Sequence, residues 1–374
     1  MTLIDSTTGD RPTARDDRCL DAIRGCLIGT AIGDAVGLRR EGLSRRRAER
    51  MYRRQSLAPN LCFGRGLCSD DTEHTQMVGR AFALSAGNTS QFERALVRQF
   101  RCWFAALPAG IGLATLRACV KLLLGFGPAR SGVFSAGNGP AMRSALIGVV
   151  AQSEDQVREL VRVSTRMTHT DPKAEEGALV IAQAARWAAR HPSASPIDLL
   201  TQFCRDIKGE ELRNALTAAV TSLEKGLSPV EYAESQGWSK GVSGYVNRTV
   251  PAALYCWAAS DDVYRTCIET AVGLGGDTDS VAAIAGAVSG ASVGYRGIPQ
   301  EWIHQISEWP HTIEWNERLA RTLAEVTRTG QPQVPPPMYW PATILRNIAF
   351  ASIVIGIGFR RLLPPYHYSV KLIL

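Results

Sequence analysis

The stretch CLDAIRGCLIGTAIGDAVG, residues 19–37, decides how this chain folds. It fits one helix, and its glycines stand four residues apart, so they share one helix face. They are Gly25, Gly29, Gly33 and Gly37. Because glycine costs helix stability, the stripe predicts very close contact with another element. A transmembrane helix with the same small-residue spacing is the weaker interpretation, because Arg24 and Asp34 interrupt the apolar run.

Helical patterns continue along most of the chain. Residues 153–169 and 171–191 both place apolar side chains at helical spacing, and Pro172 suits the first turn of the second segment. No run shows the alternation that is typical of strands, and no internal repeat is evident. Alanine and glycine are plentiful, which lets helices pack closely. We therefore predict a compact all-α protein.

Composition excludes several classes of protein. The formal net charge is +7, but eight arginines and only two glutamates lie between Arg39 and Arg54, so most of it belongs to one segment. This is a local basic patch and not a nucleic-acid-binding composition. The nine cysteines are scattered without a CxxC pair, and the polar N-terminus lacks a secretory signal. We expect reduced thiols in a cytoplasmic monomer.

The chain divides into four segments by composition. Residues 1–17 are polar and expected to be disordered, residues 18–326 form the main domain, and the proline-rich residues 327–341 are a linker or strap. Residues 342–374 form a hydrophobic helical extension. Its charge-free core, residues 347–359, is 13 residues long, short of the roughly 20 needed to span a bilayer. A helix packed on the protein is favoured over membrane-surface contact, and a span is least favoured.

Two acidic clusters stand at predicted helix starts. One is SDDTE at residues 69–73, and the other lies in GLGGDTDS at residues 273–280. Helix capping explains either alone: Asp277 would be an N-cap, and Asp70 with Glu73 would form a capping box. Together they offer only oxygen ligands, which suit a hard cation such as Mg²⁺ or Mn²⁺. If they face each other, they could hold two such ions.

Five motifs in this order resemble the ADP-ribosylglycohydrolase family, which includes the dinitrogenase-reductase-activating glycohydrolases and the eukaryotic ADP-ribosylhydrolases. They are GCLIGTAIGDAVG (25–37), SDDTEHTQM (69–77), SAGNGPAMR (135–143), THTDPKAEEGA (168–178) and LGGDTDSVAAIAGAVSGA (274–291). The resemblance covers roughly residues 20–309. It implies an orthogonal multi-helix all-α fold with a binuclear Mg²⁺ or Mn²⁺ cleft that cuts ADP-ribose from a protein side chain or a related conjugate.

The resemblance also implies roles for particular residues. The metal ligands would be Ser69, Asp70, Asp71, Asp277, Asp279 and Ser280, and the family often has threonine in place of the two serines. A proton acceptor would be Asp70, Asp71 or Glu41. The substrate would be bound by Ser135, Gly137, Asn138, Gly139 and His169, with Gly275 and Gly276 leaving room for its sugar. Asp34 would orient neighbouring groups or form a buried cap.

Several functions stay open on the sequence alone. The leading interpretation is a metal-dependent ADP-ribosyl hydrolase whose partner is an ADP-ribosylated protein or conjugate, with no nucleic acid required. A catalytically inactive ADP-ribose-binding protein is the alternative, although all six candidate ligands are present. A hydrolase of another nucleotide conjugate, such as acetylated ADP-ribose, and a membrane-associated interaction protein complete the set. The arginine cluster either docks an acidic or ADP-ribosylated partner beside the site or is a solvated loop or helix face.

Overall fold

The computed structural model describes residues 14–362, except for residues 53–54 and 193. The first helix begins at Ala14, ahead of the predicted domain start at residue 18. Most of the segment expected to be disordered, two arginines of the basic cluster and the last twelve residues of the extension lie outside the described residues.

The described residues confirm the all-α prediction, because they form helices and isolated bridges but no β-strand. The nineteen α-helices are α1 (Ala14–Gly37), α2 (Arg45–Tyr52), α3 (Asp70–Ser85), α4 (Thr89–Ala105), α5 (Leu113–Leu123), α6 (Pro128–Ser131), α7 (Gly139–Met142), α8 (Ala145–Val150), α9 (Glu154–Arg166), α10 (Pro172–Arg190), α11 (Pro196–Asp206), α12 (Glu210–Glu224), α13 (Pro229–Ser235), α14 (Val246–Ala258), α15 (Tyr264–Gly273), α16 (Thr278–Val293), α17 (Gln300–Gln305), α18 (Ile313–Thr329) and α19 (Trp340–Leu362).

The glycine stripe of α1 packs against the backbone of α16. A Cβ atom at any of the four glycines would lie 2.0–2.3 Å from a backbone oxygen of α16. Gly25 faces Gly290 and Gly37 faces Thr278, so the two helices run antiparallel. Helix α16 has glycines at the matching positions: a Cβ atom on Gly286 or Gly290 would lie 2.4 or 2.1 Å from a backbone oxygen of α1. The close contact predicted from the sequence is therefore present, and its partner is the helix that follows the second acidic cluster.

Other helices surround this central pair. Helices α3, α8 and α18 pack on α1, while α10, α14 and α15 pack on α16. Most buried apolar side chains belong to one continuous core around the pair. All nine cysteines are free thiols, as expected for a chain without disulfides. The two acidic clusters are far apart in the sequence, but the helices that carry them thus belong to the same packed domain.

The proline-rich segment is a strap that leads into a packed helix. Its backbone accepts hydrogen bonds from Arg80 and Trp315, and Gln333 donates its N–H to the carbonyl of Ala83 at 2.8 Å. Helix α19 then buries Arg346 and Phe350 against the rest of the protein. This helix has the length and composition of a membrane span, with a mean hydropathy of 1.7, but only part of its surface is covered.

Replacing Gly29 by alanine tests the helix contact. The added methyl carbon would lie 2.2 Å from the carbonyl oxygen of Gly286, and backbone cannot move aside cheaply. We expect Gly29→Ala to lower the free energy of unfolding by about 1–3 kcal/mol or more in urea titrations. Gly358→Ala is the matched control, because nothing lies within 4 Å of that site on α19. It should raise stability by about 0.5–1 kcal/mol. Equal stability of the two variants would contradict the packing described.

Candidate metal centre

The turn that precedes α3 is held by Asp34 of α1. The Asp34 carboxylate accepts hydrogen bonds from the N–H of Ser69 at 2.8 Å, from the N–H of Thr72 at 3.2 Å and from the hydroxyl of Thr72 at 2.5 Å. Burial raises the pKa of Asp34 to about 7, although these hydrogen bonds oppose the rise. The same hydrogen bonds make Asp34 a buried cap of α3 and orient the first acidic cluster, so the two roles predicted for Asp34 coincide.

The first acidic cluster forms the first turn of α3. Ser69 is the N-cap, and its hydroxyl accepts the N–H of Asp71 at 3.3 Å. The capping box between Asp70 and Glu73 does not form. Because the cap is Ser69, Glu73 lies one position too far along the helix, and its buried carboxylate instead accepts the indole N–H of Trp103 at 2.6 Å. The carboxylates of Asp70 and Asp71 are therefore not consumed by capping.

The second acidic cluster follows a glycine turn. Gly275 and Gly276 adopt φ of 73° and 85°, and a Cβ atom on Gly276 would lie 2.0 Å from the carbonyl oxygen of Val242. These glycines let the backbone approach Val242 and Leu43 closely, and they are not among the residues that line the cleft described below. The role predicted for Gly275 and Gly276 beside the sugar of the substrate stays a prediction.

Asp277 precedes α16 but does not cap it with its side chain. Its carboxylate accepts a hydrogen bond from the side-chain amide of Asn138 at 2.7 Å. The hydroxyl of Thr278 donates to the carbonyl of Gly37 at 2.8 Å and fastens the start of α16 to the end of α1. Asp277 therefore occupies the predicted N-cap position, but its carboxylate makes no capping hydrogen bond and is bound by Asn138 instead.

The two clusters meet. The hydroxyl of Ser280 on α16 lies 3.3 Å from Oδ2 of Asp71 on α3, and the hydroxyl of Ser69 lies 3.1 Å from the same oxygen. The contact joins residues 209 positions apart in the chain. The arrangement follows from the fold, because Asp34 holds one cluster and Thr278 holds the other at the same end of the helix pair.

The carboxylates in this place are crowded and buried. Burial, together with neighbouring acidic groups, raises the pKa of Asp70, Asp71 and Asp279 well above the ordinary value of an aspartate. Oδ1 of Asp71 and Oδ1 of Asp279 are buried and have no hydrogen-bond partner. Buried polar atoms normally have a hydrogen-bond partner or contact a bound ion, so these two oxygens are candidate ligands for a cation.

A cleft of about 370 Å³ opens over the two clusters. It is lined by all the predicted ligands and substrate-binding residues except the glycine pair: Glu41, Ser69, Asp70, Asp71, Ser135, Gly137, Asn138, Gly139, His169, Asp277, Asp279 and Ser280. Two larger clefts, of about 1110 and 660 Å³, contain none of the predicted site residues. The first lies between the start of α1 and α18 and contains neither acidic cluster, so size alone does not identify the site.

The loop over the cleft rests on a histidine. A Cβ atom on Gly137 would lie 3.0 Å from Nε2 of His169, and one on Gly139 would lie 3.2 Å from its Cε1. Nδ1 of His169 lies 2.9 Å from the hydroxyl of Thr168. Burial and the nearby Arg143 guanidinium lower the pKa of His169 to about 3, so the ring is neutral at physiological pH. It can exchange neutral hydrogen bonds with a ligand but offers no positive charge.

Two sets of site residues went unnoticed in the sequence. Arg143 is fully buried and donates to the carbonyl of Gly139 at 2.9 Å and to the hydroxyl of Thr168 at 2.7 Å, which fixes the loop to the histidine segment. Its position at the end of SAGNGPAMR was the available signal. Helix α19 contributes Phe350 and Val354 to the cleft wall. No local signal reveals that contact, because it depends on how the extension folds back.

Helix α19 also supports the first acidic cluster from behind. Arg346 pairs with Glu308 at 2.7 Å and with Glu73 at 3.3 Å, and it donates to the carbonyl of Cys68 at 2.5 Å. Glu308 in turn accepts the N–H of Cys68 at 2.8 Å. The residue before Ser69 is therefore clamped through both of its backbone polar groups.

The chemistry of the donors fits a hard cation. Carboxylate and hydroxyl oxygens from both clusters converge, and two of the carboxylate oxygens have no partner. Across the described ranges, no three His, Cys, Asp or Glu side chains are placed to hold a metal ion by themselves. The hydroxyls of Ser69 and Ser280 would have to complete the ligand set, and both lie at hydrogen-bond distance from Asp71.

The protein is an all-α domain with an oxygen-lined cleft. Comparison with known proteins identifies the class of hydrolase to which such a domain belongs. The sequence matches the profile of the ADP-ribosylglycohydrolase family over residues 15–333. The chain therefore belongs to the ADP-ribosylglycohydrolase family, which comprises glycosidases that act on ADP-ribosyl linkages. Helix α19 lies beyond the matched residues.

Individual relatives agree with this assignment. An uncharacterized protein of Archaeoglobus fulgidus is 33% identical over 313 residues, which cover 82% of this chain and 97% of the relative. ADP-ribosylhydrolase ARH3 of Homo sapiens is 27% identical, with 83% of this chain and 94% of ARH3 covered. A solved ADP-ribosylglycohydrolase-related protein complex superimposes with a TM-score of 0.62 at 25% identity, covering 83% of this chain and 99% of that chain.

Removing Arg346 tests the clamp. Arg346→Ala would leave the carboxylates of Glu73 and Glu308 buried without their cation, so we expect a loss of about 3–5 kcal/mol in the free energy of unfolding. Arg321→Ala is the control, because exposed Arg321 lies 3.8 Å from Glu317, which keeps its closer pair with Arg24, and the loss should be under about 1 kcal/mol. Urea titrations of both variants decide the matter. A loss in Arg346→Ala no larger than in the control would contradict the clamp.

Proposed function

We propose that this protein is a metal-dependent hydrolase that releases ADP-ribose from a modified protein side chain or a related conjugate and so reverses ADP-ribosylation. Two divalent cations, Mg²⁺ or Mn²⁺, are held by Ser69, Asp70, Asp71, Asp277, Asp279 and Ser280. The unpaired cysteines suit a reducing compartment, and we propose the cytoplasm.

The contact between Ser280 and Asp71 carries this proposal. It brings two acidic clusters from distant parts of the chain to one cleft, where buried carboxylate oxygens lack partners. Burial above all, and then repulsion between the crowded carboxylates, raises the pKa of Asp71 and of Asp279. A cation relieves it, whereas no protein group in the described residues donates a hydrogen bond to Oδ1 of Asp71 or of Asp279.

Bound cations supply Lewis-acid chemistry, since they polarise oxygens of a ligand and lower the pKa of water. The protein's own residues orient the reaction around them. Asn138 holds the carboxylate of Asp277 through its amide and keeps it turned into the cleft. A carboxylate that accepts a proton in the reaction is Asp70, Asp71 or Glu41, because all three line the same cleft.

The substrate lies under the loop of residues 135–139. The glycines of this loop let backbone N–H groups approach a phosphate or a ribose, and the neutral ring of His169 supports them from below. Phe350 and Val354 add apolar side chains to the cleft lining. A lining that has both polar and apolar groups suits a nucleotide conjugate, which has both kinds of surface.

A release assay tests the function. Purified protein is incubated with arginine-linked, serine-linked and acetyl-linked ADP-ribose in Mg²⁺, Mn²⁺ or EDTA, and free ADP-ribose is measured. We expect metal-dependent release from at least one conjugate. Asp71→Asn and Asp279→Asn should each reduce it by about 100-fold or more, because each removes a ligand charge without changing shape. Asp155→Asn, on the exposed side of α9, is the control and should keep full activity.

Two results would count against the proposal. Release that persists in EDTA or in Asp279→Asn would exclude a metal centre at these residues. Binding of ADP-ribose without release from any conjugate would favour the catalytically inactive binding protein instead.

A further inference from the structure

Helix α19 exposes an apolar stripe on the face that points away from the cleft. Five large apolar side chains of this stripe are 54–72% exposed: Leu345, Ile348, Ile355, Phe359 and Leu362. Their spacing of three, seven, four and three residues keeps them on one side of the helix. The stripe is about 25 Å long at a rise of 1.5 Å per residue. Exposed Ser352 interrupts the stripe between Ile348 and Ile355, and an exposed apolar surface of this length marks an interaction site.

The opposite face anchors the helix to the protein. Arg346 is paired with Glu308 and Glu73, and the amide of Asn347 donates to the carbonyl of Ala106 at 2.8 Å. Drawing α19 into a bilayer would strand both buried carboxylates, so the helix is not a span despite its length. Helix α19 packs on the protein through one face and leaves the opposite face exposed to solvent.

A basic surface adjoins the C-terminal end of the stripe. Arg47 on α2 donates to the carbonyl of Arg361 at 3.0 Å, and Arg361 donates to the carbonyls of Arg39 and Glu41. Helix α2 exposes Arg46, Arg47 and Arg50 beside the single acidic residue Glu49. Helix α19 itself contains no aspartate or glutamate. The exposed apolar stripe therefore ends against a strongly positive surface.

We propose that the outer face of α19 and the arginines of α2 form a docking surface for an anionic lipid bilayer. Apolar side chains enter the interface while arginines beside them meet the negative head groups. A second copy of the chain fits less well, because helix pairs in water are flanked by charges of both signs and α19 has no acidic residue. This inference does not depend on the proposed hydrolase activity.

Docking has a consequence for the cleft. The inner face of the same helix lines the cleft with Phe350 and Val354. A bilayer on the outer face therefore lies about one helix diameter, roughly 10 Å, from the cleft wall. Conjugates presented at a membrane surface come within reach of the site.

Vesicle sedimentation tests the surface. The full chain is mixed with neutral phosphatidylcholine vesicles or with vesicles that contain 30% phosphatidylserine, at low and high salt. We expect binding to the anionic vesicles, weakened in high salt. Ile355→Ser with Phe359→Ser should abolish it, and Arg46→Gln with Arg50→Gln should weaken it at least about tenfold. Val263→Ser, just before α15, removes a similarly exposed apolar side chain and should bind as the native chain does. Melting temperatures check that each variant folds.

Three outcomes would overturn the proposal. Equal binding to both kinds of vesicle, unaffected by the arginine changes, would exclude recognition of anionic lipid. Absence of binding, with a dimer that Ile355→Ser and Phe359→Ser convert to a monomer, would assign the stripe to a second copy. Binding that appears only after residues 363–374 are removed would mean that the chain's own end occupies the surface.

Discussion

The close approach of α1 and α16 is the constraint on which the rest of the structure depends. Their backbones touch because glycine stripes on both helices remove the side chains that would separate them. The antiparallel contact brings the end of α1 to the start of α16, where Thr278 bonds to Gly37. Asp34, one residue beyond Gly33, reaches the turn before α3 from the same end. Two acidic clusters are thereby placed together by one helix pair.

Bringing carboxylates together in a buried place is unfavourable for folding by itself. The hydrogen bonds that Asp71 and Asp277 accept from Ser69 and Asn138 compensate in part. One carboxylate oxygen of Asp71 and one of Asp279 accept no hydrogen bond, so the cost of burying these two oxygens is not compensated by the protein. Functional sites commonly keep such unfavourable groups, and the surrounding core and the clamp by Arg346 hold them in position. On this account the site is complete only with cations.

Much of the architecture could be predicted from local patterns. The glycine stripe of residues 25–37 predicted a close helix contact, and the helical periodicity predicted an all-α fold. Both patterns depend only on residues within one or two helical turns. The motif order identified the family. The partner of the stripe was not predictable, since Gly25 and Gly290 are joined only in the folded chain.

The errors have the same origin. Glu73 resembled half of a capping box, but its partners Trp103 and Arg346 lie 30 and 273 residues away. The close approach of Val242 to Gly276 likewise joins segments that are distant in the chain, and no local pattern predicts it. The sequence favoured a packed helix for α19, but it gave no sign that Phe350 lines the cleft. Local sequence reports the conformation a segment prefers, and it does not report which distant segment it meets.

The central claim is that the two acidic clusters form one cation site, and anomalous diffraction from crystals grown with Mn²⁺ tests it most directly. The account predicts two anomalous peaks in the cleft, within bonding distance of carboxylate oxygens of Asp71 and Asp279. An absence of peaks there at saturating Mn²⁺, with the two clusters still in contact, would contradict it.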